Sequence, residues 1–212
     1  MEMRAQSQIH SLRKPRSNRL FGLIAAAGLA IGLMSAPVDP ALATTSGING
    51  TYLLAPQNLD TAFKVRMLTG ASVNGRFERV SGKMVLDERQ PSRSRVEVTV
   101  DLASIVTDNP AMTDFLKSPA MLDTANNSKA VFVSRRVRKL SDTRAEVDGV
   151  LRLKGLERPT KLSVILQKGS TPRKIRFQAS GGFFRSLFGM NVGQPLYGDK
   201  ISLTILGTGN RQ

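Results

Sequence analysis

The sequence predicts an all-β fold: an antiparallel barrel of about eight strands with one short helix between strands, preceded by a signal peptide. Three observations predict it. Apolar and polar residues alternate over most of the chain after residue 44, turn-forming residues separate the alternating runs, and helix-forming chemistry is confined to residues 108–117. Because a closed sheet has no unpaired edges, a barrel is the favoured architecture, and a two-sheet sandwich is the alternative.

The alternation is clearest in residues 144–166, RAEVDGVLRLKGLERPTKLSVIL. Apolar residues occupy every second position over 145–153 and again over 162–166, with mostly polar residues between them. A period of two puts the apolar set on one face of a strand. The two runs are joined through Gly155 and Pro159, so we predict an antiparallel hairpin with a loop of moderate length.

The same pattern predicts the remaining strands. Pro56 is expected to end the first strand because it cannot donate to a ladder. Asn74-Gly75 is expected to form a turn or a bulge. The predicted strands outside the hairpin cover residues 51–54, 61–68, 76–86, 95–101, 129–140, 174–184 and 200–206.

One stretch predicts a helix. Asn109 followed by Pro110 is typical of a helix start, and residues 111–117 are long enough for two turns before the next proline. Such a helix would bring Phe115 and Leu116 to one side. The helix is therefore predicted to interrupt the strands once.

The first 43 residues differ from the rest and predict a secretory signal peptide. Basic residues up to Arg19 precede an apolar run over 20–34, and Ala41-Leu42-Ala43 has the small residues of a cleavage site. A membrane anchor is the alternative, but the run is shorter than the about 20 residues that a spanning helix needs. The predicted domain is residues 44–212, which the leader would export.

Composition excludes several kinds of chemistry. The chain has no cysteine, and its one histidine, His10, lies in the predicted leader. The mature protein would therefore lack the usual zinc and copper ligands, a thiol nucleophile and the commonest general base. No pair of carboxylates is placed together by the sequence. We accordingly predict no metal site, no catalytic residue and no enzymatic activity.

Short motifs spread along residues 44–212 resemble those of the YceI-like family, periplasmic lipocalin-like barrels that bind polyisoprenoids. Each motif alone is weak, and their order and spacing carry the resemblance. The matching segments are Tyr52-Leu53-Leu54, Val73-Asn74-Gly75-Arg76-Phe77, Ser104-Ile105-Val106-Thr107, Leu116-Lys117-Ser118-Pro119 with Asp123, Phe132-Val133-Ser134, Gly149 to Gly155 with Pro159 and Leu162, Arg185-Ser186-Leu187-Phe188-Gly189-Met190, and Gly198-Asp199.

At several positions this chain has other residues than the family pattern. An Asp and a His-Ser pair usually follow the first strand, whereas Ala55, Asn58 and Leu59 stand at the matching positions here. Met121 and Leu122 replace the usual pair of phenylalanines before Asp123. A ligand headgroup that depended on the missing Asp or His would be bound differently in this chain.

The resemblance implies a lipocalin-like barrel that binds and carries a long isoprenoid, with a bound polyisoprenoid or isoprenoid quinone as its only cofactor-like molecule. The alternative is that the inward residues form an ordinary packed core. For Arg185 we consider three roles: a contact to the ligand headgroup, a salt bridge, or a solvated turn residue. The candidate ligand-binding residues are Phe63, Val65, Met67, Phe115, Leu116, Met121, Leu122, Phe132, Leu151, Phe177, Phe184, Arg185, Phe188 and Met190.

The net charge is +15 for the chain and +12 without the leader. Clusters such as Arg152, Lys154, Arg158 and Lys161 are predicted to be a solvated outer face, or a surface attracted to anionic membranes. Nucleic acid is excluded as a partner because the leader exports the chain and no aromatic platform accompanies the basic residues. Two further hypotheses concern assembly and function. The barrel forms a homodimer, or it carries no lipid and acts as a protein-interaction or stress-response module.

Overall fold

The computed structural model describes residues 47–212, so the predicted signal peptide lies outside the described residues. Within this range the chain forms ten strands, one α-helix and three 3₁₀ turns. The strands are β1 (Gly50–Met67), β2 (Ser72–Phe77), β3 (Val80–Leu86), β4 (Arg95–Asp101), β5 (Ile105–Thr107), β6 (Lys129–Lys139), β7 (Arg144–Leu153), β8 (Leu156–Leu166), β9 (Lys174–Phe184) and β10 (Tyr197–Arg211). The helix is α1 (Pro110–Lys117), and the 3₁₀ turns are Pro91–Arg93, Leu102–Ser104 and Arg185–Phe188.

Eight strands close into an antiparallel barrel in the order β10-β9-β8-β7-β6-β4-β3-β1, and pairing of β1 with β10 completes the ring. The long strand β1 has different neighbours in its two halves. Residues 50–54 pair with β3, and residues 61–66 pair with β2, which in turn pairs with β5. The predicted barrel of about eight strands is therefore confirmed, with β2 and β5 as short additions.

The predicted end of the first strand at Pro56 is wrong. Strand β1 continues through Pro56, and its register against β10 shifts between Leu54 and Leu59. Proline lacks the N–H that a ladder requires, so it is tolerated where the pairing is interrupted. The irregularity changes the register without ending the strand.

Asn74-Gly75 forms neither a turn nor a bulge, because both residues lie inside β2 and Gly75 pairs with Phe63. A Cβ atom at Gly75 would lie only 2.5 Å from the Phe63 ring. Glycine is needed here so that a ring can pack against the backbone of the neighbouring strand. The chain turns between β1 and β2 around Gly70, whose φ is 88°.

The hairpin of β7 and β8 is confirmed, but its connection is shorter than predicted. Lys154 and Gly155 alone form the turn, with φ of 51° and 71°. Positive φ at both residues is typical of a two-residue type I′ turn. Pro159 lies within β8, and the Lys154 ammonium donates to the Met121 carbonyl at 2.6 Å. This contact ties the turn to the loop after α1.

The predicted helix is confirmed as α1. Asn109 caps it, because its side chain accepts a hydrogen bond from the Met112 backbone N–H at 3.2 Å. Leu116 is buried, and the loop that follows buries Met121 and Leu122. We call this end of the barrel, with α1, the β7–β8 turn and the β9–β10 connection, the helix end. The opposite end, near residues 47–50, is the terminal end.

Arg185 is 1% exposed and organises the β9–β10 connection. Burial lowers the pKa of Arg185, and the charge of nearby Asp199 acts in the opposite direction. The guanidinium group donates four hydrogen bonds of 2.5–3.1 Å, to the carbonyls of Met190, Val192, Tyr197 and Gly198, and we call this arrangement the Arg185 clamp. Because the side chain is buried and its donors contact backbone carbonyls, the two sequence-based interpretations, a salt bridge and a solvated turn residue, are wrong.

Salt bridges cross the outer face of β6, β7 and β8. The Glu146 carboxylate contacts Arg138 at 2.8 Å and also contacts Lys161, and Asp148 lies 3.6 Å from Lys161. The hydrogen bond from Lys161 lowers the pKa of Glu146, and the positive charge of Arg138 adds to this effect against the opposing influence of burial. The same contact raises the pKa of Lys161. Part of the basic outer face is therefore paired within the protein.

Substitution Arg185→Met is expected to lower the free energy of unfolding by about 3 kcal/mol or more, because four carbonyls lose their donor. Urea unfolding followed by circular dichroism measures it. Arg66→Met is the control, since Arg66 is exposed and makes no salt bridge among residues 47–212; its effect should stay within about 0.5 kcal/mol. Equal unfolding midpoints for the two variants would contradict the clamp.

Substitution Glu146→Gln is expected to lower stability at neutral pH. A carboxyl group with a lowered pKa in the folded state stabilises the fold above its ordinary pKa of 4.5, and this contribution disappears as the pH falls. The difference between wild type and E146Q should therefore shrink below that pH, as measured by unfolding at a series of pH values. A difference that stays constant into acid would show that the network does not act through this charge.

Candidate functional site in the barrel interior

Within residues 47–212 the barrel interior is hollow, and two of its cavities have volumes of about 150 Å³ each. We call them the helix-side chamber, near α1, and the terminal-side chamber, near residues 47–50. Val98, Leu162 and Ile205 line both chambers, so the two are neighbours, and we call the boundary formed by these three residues the waist. An engineered apolar cavity of about 150 Å³ stays dry and binds benzene. Each chamber is thus large enough for a small hydrocarbon group.

The helix-side chamber is lined almost entirely by aromatic and aliphatic side chains. Its wall includes five phenylalanine rings, and side chains of α1 and the following loop line it at the helix end. Methionines add flexible side chains that can adapt to the shape of a ligand. The residues that define this character are Phe63, Phe77, Phe115, Phe132 and Phe183, with Met112, Leu116, Met121, Leu122 and Met190 toward the helix end.

The terminal-side chamber is lined mainly by aliphatic side chains, and Phe177 supplies its one aromatic ring. Charged and hydroxyl groups of the β3–β4 and β6–β7 connections belong to its wall, so this chamber reaches the polar end of the barrel. Polar groups at the edge of an apolar cavity can orient a ligand. The polar and charged members are Asp87, Glu88, Ser94, Lys139, Ser141, Asp142, Thr143 and Arg144.

Glycines in neighbouring strands make room for the inward rings. Gly75 lies opposite Phe63, and Gly207 lies opposite Phe177, in paired positions of adjacent strands. A Cβ atom at Gly207 would lie 2.5 Å from the Phe177 ring. Because the glycines have no side chain, the rings pack against the wall and leave the centre of the barrel open.

Few polar atoms face the helix-side chamber. Thr61 is 3% exposed, and its hydroxyl has no hydrogen-bond partner within residues 47–212. Thr160 is also buried, but its hydroxyl lies 3.4 Å from the Arg158 carbonyl. Arg185 lines the chamber while its guanidinium group donates to the protein's own carbonyls. The chamber therefore offers a ligand mainly apolar contact.

Most residues that the sequence predicted as ligand contacts lie at these cavities. Phe177 lines the terminal-side chamber. Ten others line the helix-side chamber: Phe63, Val65, Phe115, Leu116, Met121, Leu122, Phe132, Leu151, Arg185 and Met190.

Three predicted contacts lie elsewhere. Phe184 is 51% exposed on the outer face because Phe183, the residue before it, faces inward and neighbours on a strand alternate. Phe188 is buried, but it packs edge-on against Phe183 at 5.3 Å between ring centres. Met67 is half-buried at the end of β1, outside both cavity walls. The structure thus corrects the placement of Phe184, Phe188 and Met67.

The sequence-based prediction missed most of the terminal-side chamber. Leu54, Met84 and Ile175 are buried there. The signal was present, because Ile175, Phe177 and Ala179 alternate in β9, but only Phe177 was selected. Tyr52 also went unassigned; it is fully buried, and its hydroxyl lies 2.9 Å from the Pro172 carbonyl. This contact joins the start of β1 to the β8–β9 connection.

Two further observations concern residues 47–212 alone. They contain no group of three His, Cys, Asp or Glu side chains arranged to hold a metal ion. Their helix α1 is not long and apolar enough to cross a membrane.

Comparison with solved structures places the fold among known barrels. BcnA of Burkholderia cenocepacia superimposes with a TM-score of 0.67 at 16% identity, covering 73% of this chain and 98% of that one. A structure described as a polyisoprenoid binding domain from Saccharophagus degradans, implicated in plant cell wall breakdown, gives 0.61 at 14% identity, covering 77% and 99%. At these identities the similarity shows the fold.

Sequence relatives extend over a similar part of the chain. A UPF0312 protein of Pseudomonas paraeruginosa is 27% identical over 154 residues, which cover 71% of this chain and 80% of the relative. A UPF0312 protein of Serratia proteamaculans is 28% identical over 169 residues, covering 78% and 85%. Residues 52–208, nearly the whole of the described barrel, match the family described as the YceI-like domain. This chain belongs to the YceI-like family.

Proposed function

We propose that this protein binds a long isoprenoid or related apolar lipid in the barrel interior and carries or sequesters it in the periplasm. The observation that carries the proposal is the hollow, apolar lumen of two adjoining chambers. Family membership and the neighbour described as a polyisoprenoid binding domain support it. The signal-peptide pattern of residues 1–43 supports export.

Hydrophobic burial alone can supply the affinity. Each chamber has the volume of a benzene-binding cavity, so the two together accommodate about ten carbons, or two isoprene units. Burying ten carbons contributes about 8 kcal/mol before association costs are subtracted, comparable to the free energy of a micromolar complex. Binding therefore requires neither an ionic contact nor a catalytic group, and the protein acts as a binding protein and not as an enzyme.

Chain length is expected to control affinity. A chain of two isoprene units fills both chambers by crossing the waist, and the further units of a longer chain must extend past the charged edge of the terminal-side chamber. The alternative of a lipid-free interaction module would be favoured by a filled interior, whereas the two chambers favour a lipid ligand.

Lipid extraction of the protein purified from its native host, followed by mass spectrometry, tests the proposal. We expect an isoprenoid to be recovered, and we expect fluorescent prenyl probes of increasing length to bind more tightly up to at least two isoprene units. Absence of any recovered lipid, together with no binding of probes of any length, would contradict the carrier function.

Substitution Gly207→Ala is expected to weaken binding of a prenyl probe about tenfold, because the new methyl group would force the Phe177 ring toward the lumen. The atoms nearest to this methyl group belong to the side chains of Phe177 and Leu59, so the backbone need not move. The double variant G207A/F177L removes the ring and should restore binding. Equal affinity of G207A and wild type, or no recovery in the double variant, would contradict a ligand site in this chamber.

A further inference from the structure

The helix end of the barrel exposes large apolar side chains that have no role in the core. Their exposed fractions rise from 38% at Leu156 to 76% at Leu68. Scattered exposed leucines are common, but a group at one end of a molecule marks an interaction surface. We call this group the apolar rim; it consists of Leu68, Leu156, Phe184, Leu187, Val192 and Leu196.

Hydrogen bonds bring the connections that carry the rim together. The Leu68 backbone N–H donates to the Leu196 carbonyl at 2.8 Å, which joins the β1–β2 turn to the β9–β10 connection. The Arg158 guanidinium group, near the start of β8, donates to the Leu187 carbonyl at 3.1 Å. The rim is therefore one surface formed by neighbouring loops.

The rim borders the helix-side chamber. Val192 is 49% exposed and also lines that chamber. The Arg185 clamp holds the Val192 carbonyl at 2.9 Å, together with the Met190 carbonyl of the same connection and two carbonyls at the start of β10. Because the backbone is fixed by these bonds, the outward position of Val192 is part of the fold. A partner that covers the rim would also cover this side of the cavity.

Basic side chains accompany the rim. Arg66 and Lys200 are exposed at the ends of β1 and β10 that meet there, and neither makes a salt bridge within the described residues. The nearby cluster recognised in the sequence is largely engaged, because Arg152 pairs with Glu157 and Lys154 bonds to a carbonyl. Arg66 and Lys200 therefore remain available to an anionic partner.

We propose that the apolar rim docks on an anionic lipid bilayer, with its side chains at the acyl boundary and Arg66 and Lys200 against the headgroups. Apolar side chains match the acyl boundary of such a membrane, and the flanking basic side chains match its anionic headgroups. The purpose of docking, transfer of lipid into the helix-side chamber, rests on the proposed function. Docking itself is measured on ligand-free protein, so the two proposals can fail separately.

The terminal end fits a bilayer less well. It carries many basic residues, among them Arg89, Arg93, Arg173 and Lys174. Leu140 is the large apolar side chain exposed in its described connections, and Leu53, Val85 and Ile165 are less exposed, on the outer faces of nearby strands. Charge without apolar insertion gives weak, salt-sensitive attraction. This end supplies the matched control, because Leu140 is 61% exposed on a turn, much as Leu68 is.

Co-sedimentation with vesicles of phosphatidylcholine, with and without phosphatidylglycerol, tests the proposal. Wild type should bind the anionic vesicles, and the double variant L68S/L196S should lose about tenfold in affinity for each leucine. R66Q/K200Q should lose about fivefold for each charge on anionic vesicles and should bind neutral vesicles like wild type. L140S should bind like wild type, and thermal unfolding should show that all variants are folded.

Three results would overturn the proposal. The first is no binding of wild type to anionic vesicles. The second is equal loss in L140S and L68S/L196S, or loss only when Arg173 and Lys174 are replaced, which would place the contact at the terminal end. The third is a dimer in light scattering that L68S/L196S dissociates while vesicle binding is unchanged, which would assign the rim to a second copy of the chain.

Discussion

The hollow lumen depends on one packing constraint, the placement of inward phenylalanine rings beside glycines of adjacent strands. Phe63 lies opposite Gly75, and Phe177 lies opposite Gly207. An eight-stranded barrel is narrow enough to be filled by its own side chains. Rings that lie against the wall contribute apolar surface without meeting in the centre. The glycines therefore convert what would be a packed core into two chambers, and the capacity to bind a guest follows from this packing.

The two ends of the barrel complete this design in different ways. At the helix end, apolar side chains of α1 and its loop line the lumen, and Arg185 holds the neighbouring connection and the start of β10 through four backbone carbonyls. At the terminal end, charged and hydroxyl groups form part of the cavity wall. A buried arginine that contacts no carboxylate, as Arg185 among residues 47–212, is costly unless its donors are satisfied, so its role here is to fix a shape. The shape that it fixes includes the exposed side chain of Val192.

Much of the fold could be predicted because alternation is a local signal. Strands β4 and β9 begin and end as predicted, and the Asn109 cap marked the helix. The errors arose where a residue type has two physical uses. Gly75 suggested a turn but makes room for a ring, and Pro56 suggested a strand end but occupies an irregularity inside one. In the same way, the pair Phe183-Phe184 did not reveal which ring faces inward, because that depends on the register of β9.

Exposing crystals of the protein to xenon under pressure tests whether the lumen is hollow, since xenon enters dry apolar cavities that are large enough to hold it. We expect xenon in both chambers, on either side of the waist formed by Val98, Leu162 and Ile205. We also expect the Phe177 ring to stay against Gly207 when xenon is bound. A lumen that takes up no xenon, because side chains fill it from end to end, would contradict a hollow barrel that can bind a ligand.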